Sequence, residues 1–412
     1  MYQIGWVFNS EKHRQDIETI ISLTQDQGTL DELGLGSVRD GFANMFFPGT
    51  TTIMTRAKYF LIVPWILEDI YKKNEDFGKL SQLLRIEEGK VIEFLKTTKD
   101  LDGLIGKEVG VRLKRMPSSV YWTGLKRFGI ILPDITMSQL PVFFRKKHRL
   151  ENTTSLKRLT KQDKLADIYE NKEAVYFTSE DLPSYPGLKN LSIQMTKIEA
   201  EFLRKRILLK EPDSLLAYLL DDIEKRNDFL LVPSFEDLVT YVGKSCPLYA
   251  SLQAALLFDK IMKGVYIRYN YKLSLYAEPQ TKLVWTTNWD NYLISLAKLD
   301  FTENSFDLYF KDFKINENTV QFCKQWIRFI KEDKINEKAI DELLRSREVK
   351  LKGNERSRLN NPTLAQKTAL PIGVSFNQNT GEVSYLNFRF YIAKKIIQDI
   401  YIGLTNTASN EQ

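Results

Sequence analysis

Apolar residues recur at intervals of three and four along most of this 412-residue chain, and runs of strict alternation are short. That spacing predicts a mainly α-helical, multi-helical protein. The densest stretch runs from Leu33 to Ile70, where a Gly-bearing loop, a short helix, a Pro-Gly turn and a long apolar helix follow one another. Ser37 is the expected N-cap of the short helix, with Asp40 reaching back to it, and Val38, Phe42, Met45 and Phe46 are its buried face. Pro48-Gly49 ends that helix. Thr50, Thr51 and Thr52 offer caps to the next one, which buries Ile53, Met54, Ala57, Phe60, Leu61, Val63, Trp65, Ile66 and Ile70 and is expected to kink at Pro64.

The same periodicity predicts the other elements. Ser10 to Leu23 reads as a helix preceded by Trp6 and Phe8, which pack under the organising stretch. A helix from about Leu80 to Leu95 has Leu83, Leu84, Ile86, Val91, Ile92 and Leu95 on its apolar side. Pro117 and Ser118 start a further helix whose face is Val120, Tyr121, Leu125 and Phe128; Gly129 closes it and Ile130 to Leu132 reads as a short strand. A helix closed by Gly and followed by a strand suggests a winged-helix-like unit. Residues 151 to 190 are polar and weakly periodic, as in a linker. Thr196 and Glu199 form a capping box for a helix with Ile198, Phe202, Leu203 and Ile207 inward. Helices are expected at SLLAYLLDDIEKR, FEDLVTYV, the long apolar run after Pro247, WTTNWDNYLISLAKL, VQFCKQWIRFI, AIDELLRSRE and about Phe388 to Ile402, before a frayed tail. The expected division is 1–78, 79–150, 151–192 and 193–412, two or three domains with a linker or insertion.

Composition narrows the classes. An apolar fraction of 43% supports real cores, and 27% charged residues is ordinary for a globular protein. Cys246, Cys323, His13 and His148 are too few for a structural zinc site or a disulfide framework, which suits a reducing cytoplasm. The N-terminus lacks a signal pattern and no apolar run spans a bilayer, so no membrane association is expected.

Net charge is only +6, so a polyanion footprint must come from clustering. Two clusters exist. Between 107 and 149 stand Lys107, Arg112, Lys114, Arg115, Lys126, Arg127, Arg145, Lys146, Lys147 and Arg149 against Glu108 and Asp134. Ser118, Ser119, Tyr121 and Thr123 at the start of the intervening helix suit phosphate anchoring; the alternative is a small structural helix with a solvated basic surface. Arg345, Arg347, Lys350, Lys352, Arg356 and Arg358 form the second cluster against Glu348 and Glu355. Tyr266, Tyr269 and Tyr271 are either base-stacking groups or, the preferred reading, half-buried core aromatics. Arg56 and Lys58 near the threonines suggest an anion seat. The loop lacks both GxGxxG and GxxxxGK[ST], which favours caps and turns with Arg56 a surface or interface cation.

Catalytic patterns are mostly excluded. No HxK pair, histidine-rich metal motif, GxSxG or Cys-His pairing is present. Glu348-Val349-Lys350, with Asp341 upstream, has the ExK form of a Mg²⁺-dependent nuclease. That chemistry needs the tripeptide on a strand, whereas the residues before it read as a helix. No cofactor is implied.

DELGLGSVRDGFANMFFPGTTTIMTRAKYFLIVPWIL resembles an uncharacterised bacterial family, a domain of unknown function. PSSVYWTGLKRFGI, REVKLKGNERSRLNNP and LNFRFYIAKKIIQDIYIGL resemble the same family, so the likeness covers most of the chain. That family occurs beside helicase-like and nuclease-like genes in phage-defence neighbourhoods, which implies a DNA-related role with such proteins as partners. It supplies no catalytic residues. The expected function is a non-catalytic DNA-associated subunit gripping phosphates through both clusters, with the 118–128 helix approaching a groove; the alternatives are the ExK nuclease and a protein-interaction scaffold.

Overall fold

The computed structural model describes residues 31–73, 76–132, 134–159, 177–223, 227–332 and 335–405. Fifteen α-helices lie among them: α1 (Gly36–Phe46), α2 (Tyr59–Lys73), α3 (Leu80–Leu95), α4 (Pro117–Arg127), α5 (Leu140–Leu159), α6 (Lys197–Lys210), α7 (Leu215–Asp221), α8 (Phe235–Val242), α9 (Tyr249–Ser274), α10 (Pro279–Leu296), α11 (Asp307–Asp312), α12 (Glu317–Ile330), α13 (Glu337–Lys352), α14 (Pro362–Gln366) and α15 (Phe390–Thr405). One antiparallel pair of two-residue strands, β1 (Ser375–Phe376) and β2 (Val383–Ser384), completes the described elements. The protein is mainly helical, as the periodicity requires. The expected helix at Ser10–Leu23, with Trp6 and Phe8, lies outside the described residues.

The chain divides into two compact units, residues 1–39 with 254–386, and residues 40–253 with 387–412. Residues 79–150 belong to the second unit.

In the second unit α2 is the central element, with Tyr59 to Leu67 continuously buried. A helix apolar on all sides must be covered on all sides, and α3 and α4 both pack on it. Across the unit, α15 packs along α6. Two glycines permit close approaches: a Cβ on Gly124 would meet Phe60 and the carbonyl of Gly49, and one on Gly403 would crowd Ala200. Phe388 and Arg389, leading into α15, adopt φ 48° and 64°. Left-handed backbone is costly for residues with a Cβ, and side-chain contacts hold it. Phe388 lies among Phe42, Phe46 and Phe235, while the Arg389 guanidinium donates to Asn44 Oδ1 at 2.7 Å and the Thr50 carbonyl at 2.8 Å.

In the first unit α9, α10, α12 and α13 enclose the core. The Tyr292 hydroxyl and the Trp326 indole both donate to the Ile261 carbonyl, at 2.7 and 3.2 Å. Arg268, 2% exposed, stacks between Tyr271 and Trp289 and pairs with Asp341 and Glu337.

Several local expectations are corrected. Helix α1 begins at Gly36, and Asp31 accepts from the Leu35 and Gly36 amides at 2.9 and 2.6 Å, so Asp31 rather than Ser37 holds its start. Asp40 pairs with Arg389 instead of closing a capping box. The threonines do not cap α2, which begins nine residues later, at Tyr59 rather than Thr50; Thr50 donates to the Phe47 carbonyl. Ile130–Leu132 makes a single bridge, Ile131 to Thr178, and no hairpin wing occurs there among the described residues. Helix α5 continues to Leu159, into the segment expected to be a linker. Ile198 and Ile86 are exposed, at 68% and 54%. On α3 the inward position falls instead to Glu88.

Candidate nucleic-acid interface

Helix α4 has no side-chain cap from its own N-cap residue, Met116. Glu88 of α3 supplies one from outside, accepting from the Ser118 amide at 2.6 Å and the Ser118 hydroxyl at 3.0 Å. Glu88 and Ser118 are both 2% exposed, so Ser118 cannot present its hydroxyl to a phosphate. Tyr121, fully buried, accepts from the Thr55 and Arg56 amides and donates to the Arg56 carbonyl, so it too is a packing residue. The exposed side of α4 is Ser119, Thr123 and Arg127.

Burial pushes the Glu88 carboxyl up to about 7. A carboxyl whose folded pKa exceeds its unfolded value costs stability as pH rises from the unfolded to the folded value, and the cost is complete above it. Between 4.5 and about 7 this amounts to at most about 3 kcal/mol. Glu88→Gln can keep both partners without the charge. The variant is therefore expected to gain stability relative to the parent between pH 4.5 and 8, read as the difference between their urea midpoints. A difference independent of pH would contradict this.

The cations of the 107–149 cluster differ in how they are used. Lys126 pairs with Asp134 at 2.8 Å, Arg127 makes a two-pronged pair with Glu211, and Lys147 pairs with Glu151 while lying over the Tyr71 ring. Lys107, Arg112, Lys114, Arg145 and Lys146 are exposed. None of these five has an ion-pair partner among the described residues. Arg115 is half-buried and Arg149 exposed; both interact within the chain. On α5 the exposed positions 145, 146 and 149 share one side, while Leu140 and Phe144 are buried on the other.

The 345–358 cluster is differently placed. Arg347, 6% exposed, donates to the carbonyls of Leu33, Gly34 and Asn318 and to the Thr319 hydroxyl. Lys352 pairs with Glu32 and Glu348, and Arg358 with Glu32 at 2.6 Å. Lys350 donates to Asn318 Oδ1 at 2.6 Å, Arg345 pairs with Glu342, and exposed Arg356 donates to the Lys352 carbonyl. Arg345, Lys352 and Arg358 are thus in ion pairs and Arg347 is enclosed, while exposed Lys350 and Arg356 have only neutral acceptors among the described residues. The expectation that Arg347 grips phosphate is corrected: its guanidinium is enclosed and satisfied.

The ExK geometry is not met. Glu348 and Lys350 lie two residues apart on α13, which turns them to opposite sides of a helix. Glu348 has no exposed surface and accepts from Tyr269, Ser357, Lys352 and the amides of Arg358 and Leu359. Asp341 is held by Arg268 and Lys272. Among the described residues no group of three His, Cys, Asp or Glu could hold a metal ion.

The suggested anion seat is internal. Arg56, 4% exposed, pairs with Asp399 and Asp100; Lys58, 1% exposed, pairs with Glu199 at 2.6 Å. Burial lowers the Lys58 pKa against the opposing pull of Glu199. Neither is a surface cation. Tyr266 and Tyr269 are buried, and Tyr271 lies under Arg268, so these tyrosines are core groups. Cys323 is a buried core residue as expected, its thiol pushed up to about 12 by burial. His148 meets the rings of Tyr71 and Phe77 edge-on; His13 is outside the described residues.

Sequence reasoning missed Glu88. Its signal was its place between Leu84 and Ile92 on the apolar stripe of α3.

Residues 1–150 match the model of a family of unknown function, DUF6361. The matched range includes the 107–149 cluster and ends before the 345–358 cluster. No curated protein and no solved structure matches the chain. Among the described residues no helix is long and apolar enough to cross a membrane.

Proposed function

We propose that this chain is a non-catalytic, DNA-associated subunit that holds the phosphate backbone through the 107–115 loop and the exposed side of α5. The supporting observation is the set Lys107, Arg112, Lys114, Arg145 and Lys146, exposed and without an ion-pair partner among the described residues. A cation already paired inside a protein must lose that partner to take up a phosphate, whereas a solvated one exchanges only counterions. In the second cluster four of the six cations, Arg345, Arg347, Lys352 and Arg358, are ion-paired or enclosed, so that cluster is assigned a mainly structural role. The resemblance to a family found beside helicase-like and nuclease-like genes supports a place in a phage-defence or DNA-processing system, with such a protein as partner.

If all five engage phosphates, affinity falls with salt at a logarithmic slope of about −4.5, or about 500-fold between 50 and 200 mM. Fluorescence anisotropy with a labelled duplex tests this. The variant R112E/K114E/R145E/K146E is expected to lose at least about tenfold in affinity at low salt and most of the slope. Absence of binding by the parent at 50 mM salt would overturn the reading and leave a scaffold that binds protein.

A further inference from the structure

The same exposed cations bear on what form of nucleic acid they suit, a question that rests on the proposed DNA association. Proteins that hold single strands pair a basic groove with exposed aromatic rings on which unstacked bases lie. Among the described residues between 79 and 151, no aromatic side chain is exposed. Tyr121, Trp122, Phe128 and Phe144 are buried, and Phe94 and Phe143 are half-buried. Among these described residues a single strand would find cations without a stacking platform.

Base-edge reading is equally poorly provided for. Sequence is read in the major groove mainly by long side chains that make paired hydrogen bonds, as Arg does with guanine and Asn or Gln with adenine. On α4, the helix expected to approach a groove, Arg127 is tied to Glu211 and Lys126 to Asp134. Ser119 and Thr123 are left on the exposed side, and short hydroxyls accept or donate to either base without discriminating. The Glu88 carboxylate meanwhile occupies the start of that helix, at the Ser118 amide, where a phosphate would otherwise be received.

We infer that the exposed cations of the second unit take the backbone of double-stranded DNA, without sequence preference and without stacking bases. The duplex is favoured because it presents about one charge per 1.7 Å of axis, denser than a single strand.

The test uses the full chain and three labelled probes of equal length: two duplexes of unrelated sequence and an oligo(dT) strand, at one low salt concentration. The two duplexes are expected to bind within about threefold of each other, and oligo(dT) at least about tenfold more weakly. Oligo(dT) binding as tightly as duplex, or a sequence preference above about tenfold, would overturn this inference while leaving a DNA-associated protein. Failure of all three probes to bind would remove it together with the proposal on which it rests.

Discussion

Replacing Glu348 with alanine is expected to destabilise the first unit by about 3–5 kcal/mol, because it removes the acceptor of a closed set of donors. Tyr269 Oη stands 2.6 Å from the carboxylate, Ser357 Oγ at 2.8 Å, and the Arg358 and Leu359 amides at 3.1 and 2.9 Å. An unpaired buried donor costs about 1–3 kcal/mol, and only those donors that reach water recover it. The loss therefore concentrates in the turn after α13, where Gly353 leads into Ser357 and Leu359. Hydrogen exchange at the Arg358 and Leu359 amides should accelerate well beyond that of α12. Glu348→Gln keeps an acceptor but turns an amide donor toward other donors, so it should fall between. A substitution that left stability intact and instead abolished a metal-dependent cleavage would restore the nuclease reading.

Asp399→Ala is the second large effect, in the other unit. Its carboxylate accepts from Arg56 Nε at 3.0 Å and from the Ala57 amide at 2.8 Å, and both ion-pair partners are buried. Burial raises the Asp399 carboxyl while Arg56 opposes the shift, and Arg56 itself stays charged beside Asp399 and Asp100. Removing the aspartate leaves the Arg56 charge with Asp100 alone and the Ala57 amide without its acceptor, at a cost of about 2–4 kcal/mol. Replacing Arg56 and Asp399 together by apolar residues should cost much less, and the double-mutant cycle measures the coupling. Because two units need not unfold together, exchange at the Ala57 amide is a better probe than a global midpoint. Losses that simply add in the double variant would show that the two side chains are not coupled.

Both networks illustrate what the sequence revealed and what it hid. Helices with strong periodicity or a Pro start were legible to the residue or nearly so: α3 at Leu80–Leu95, α4 from Pro117, and α6 with its Thr196–Glu199 box. Local signals failed where a side chain outside the element takes the group first, whether from the preceding turn or from far along the chain. Ser37 has every property of an N-cap, yet Asp31 reaches the helix start first. Arg56 resembles a surface cation until α15 brings Asp399 to it from 343 residues away. The 345–358 cluster reads as a basic patch because Glu32, which takes up Lys352 and Arg358, lies more than 300 residues earlier. Charge counted along a sequence overstates the charge left for a partner, since long-range pairing is invisible to it. On α5 Arg145 and Lys146 survived that subtraction, following helical spacing away from Leu140 and Phe144.

The most direct test of this division of labour reverses charge in each cluster separately and measures duplex affinity at low salt. R145E/K146E is expected to weaken binding at least about tenfold, while K350E/R356E, made at exposed positions of the second cluster, should leave it within about twofold. Equal losses, or a larger loss from the second pair, would contradict the assignment of the DNA-facing surface to the second unit.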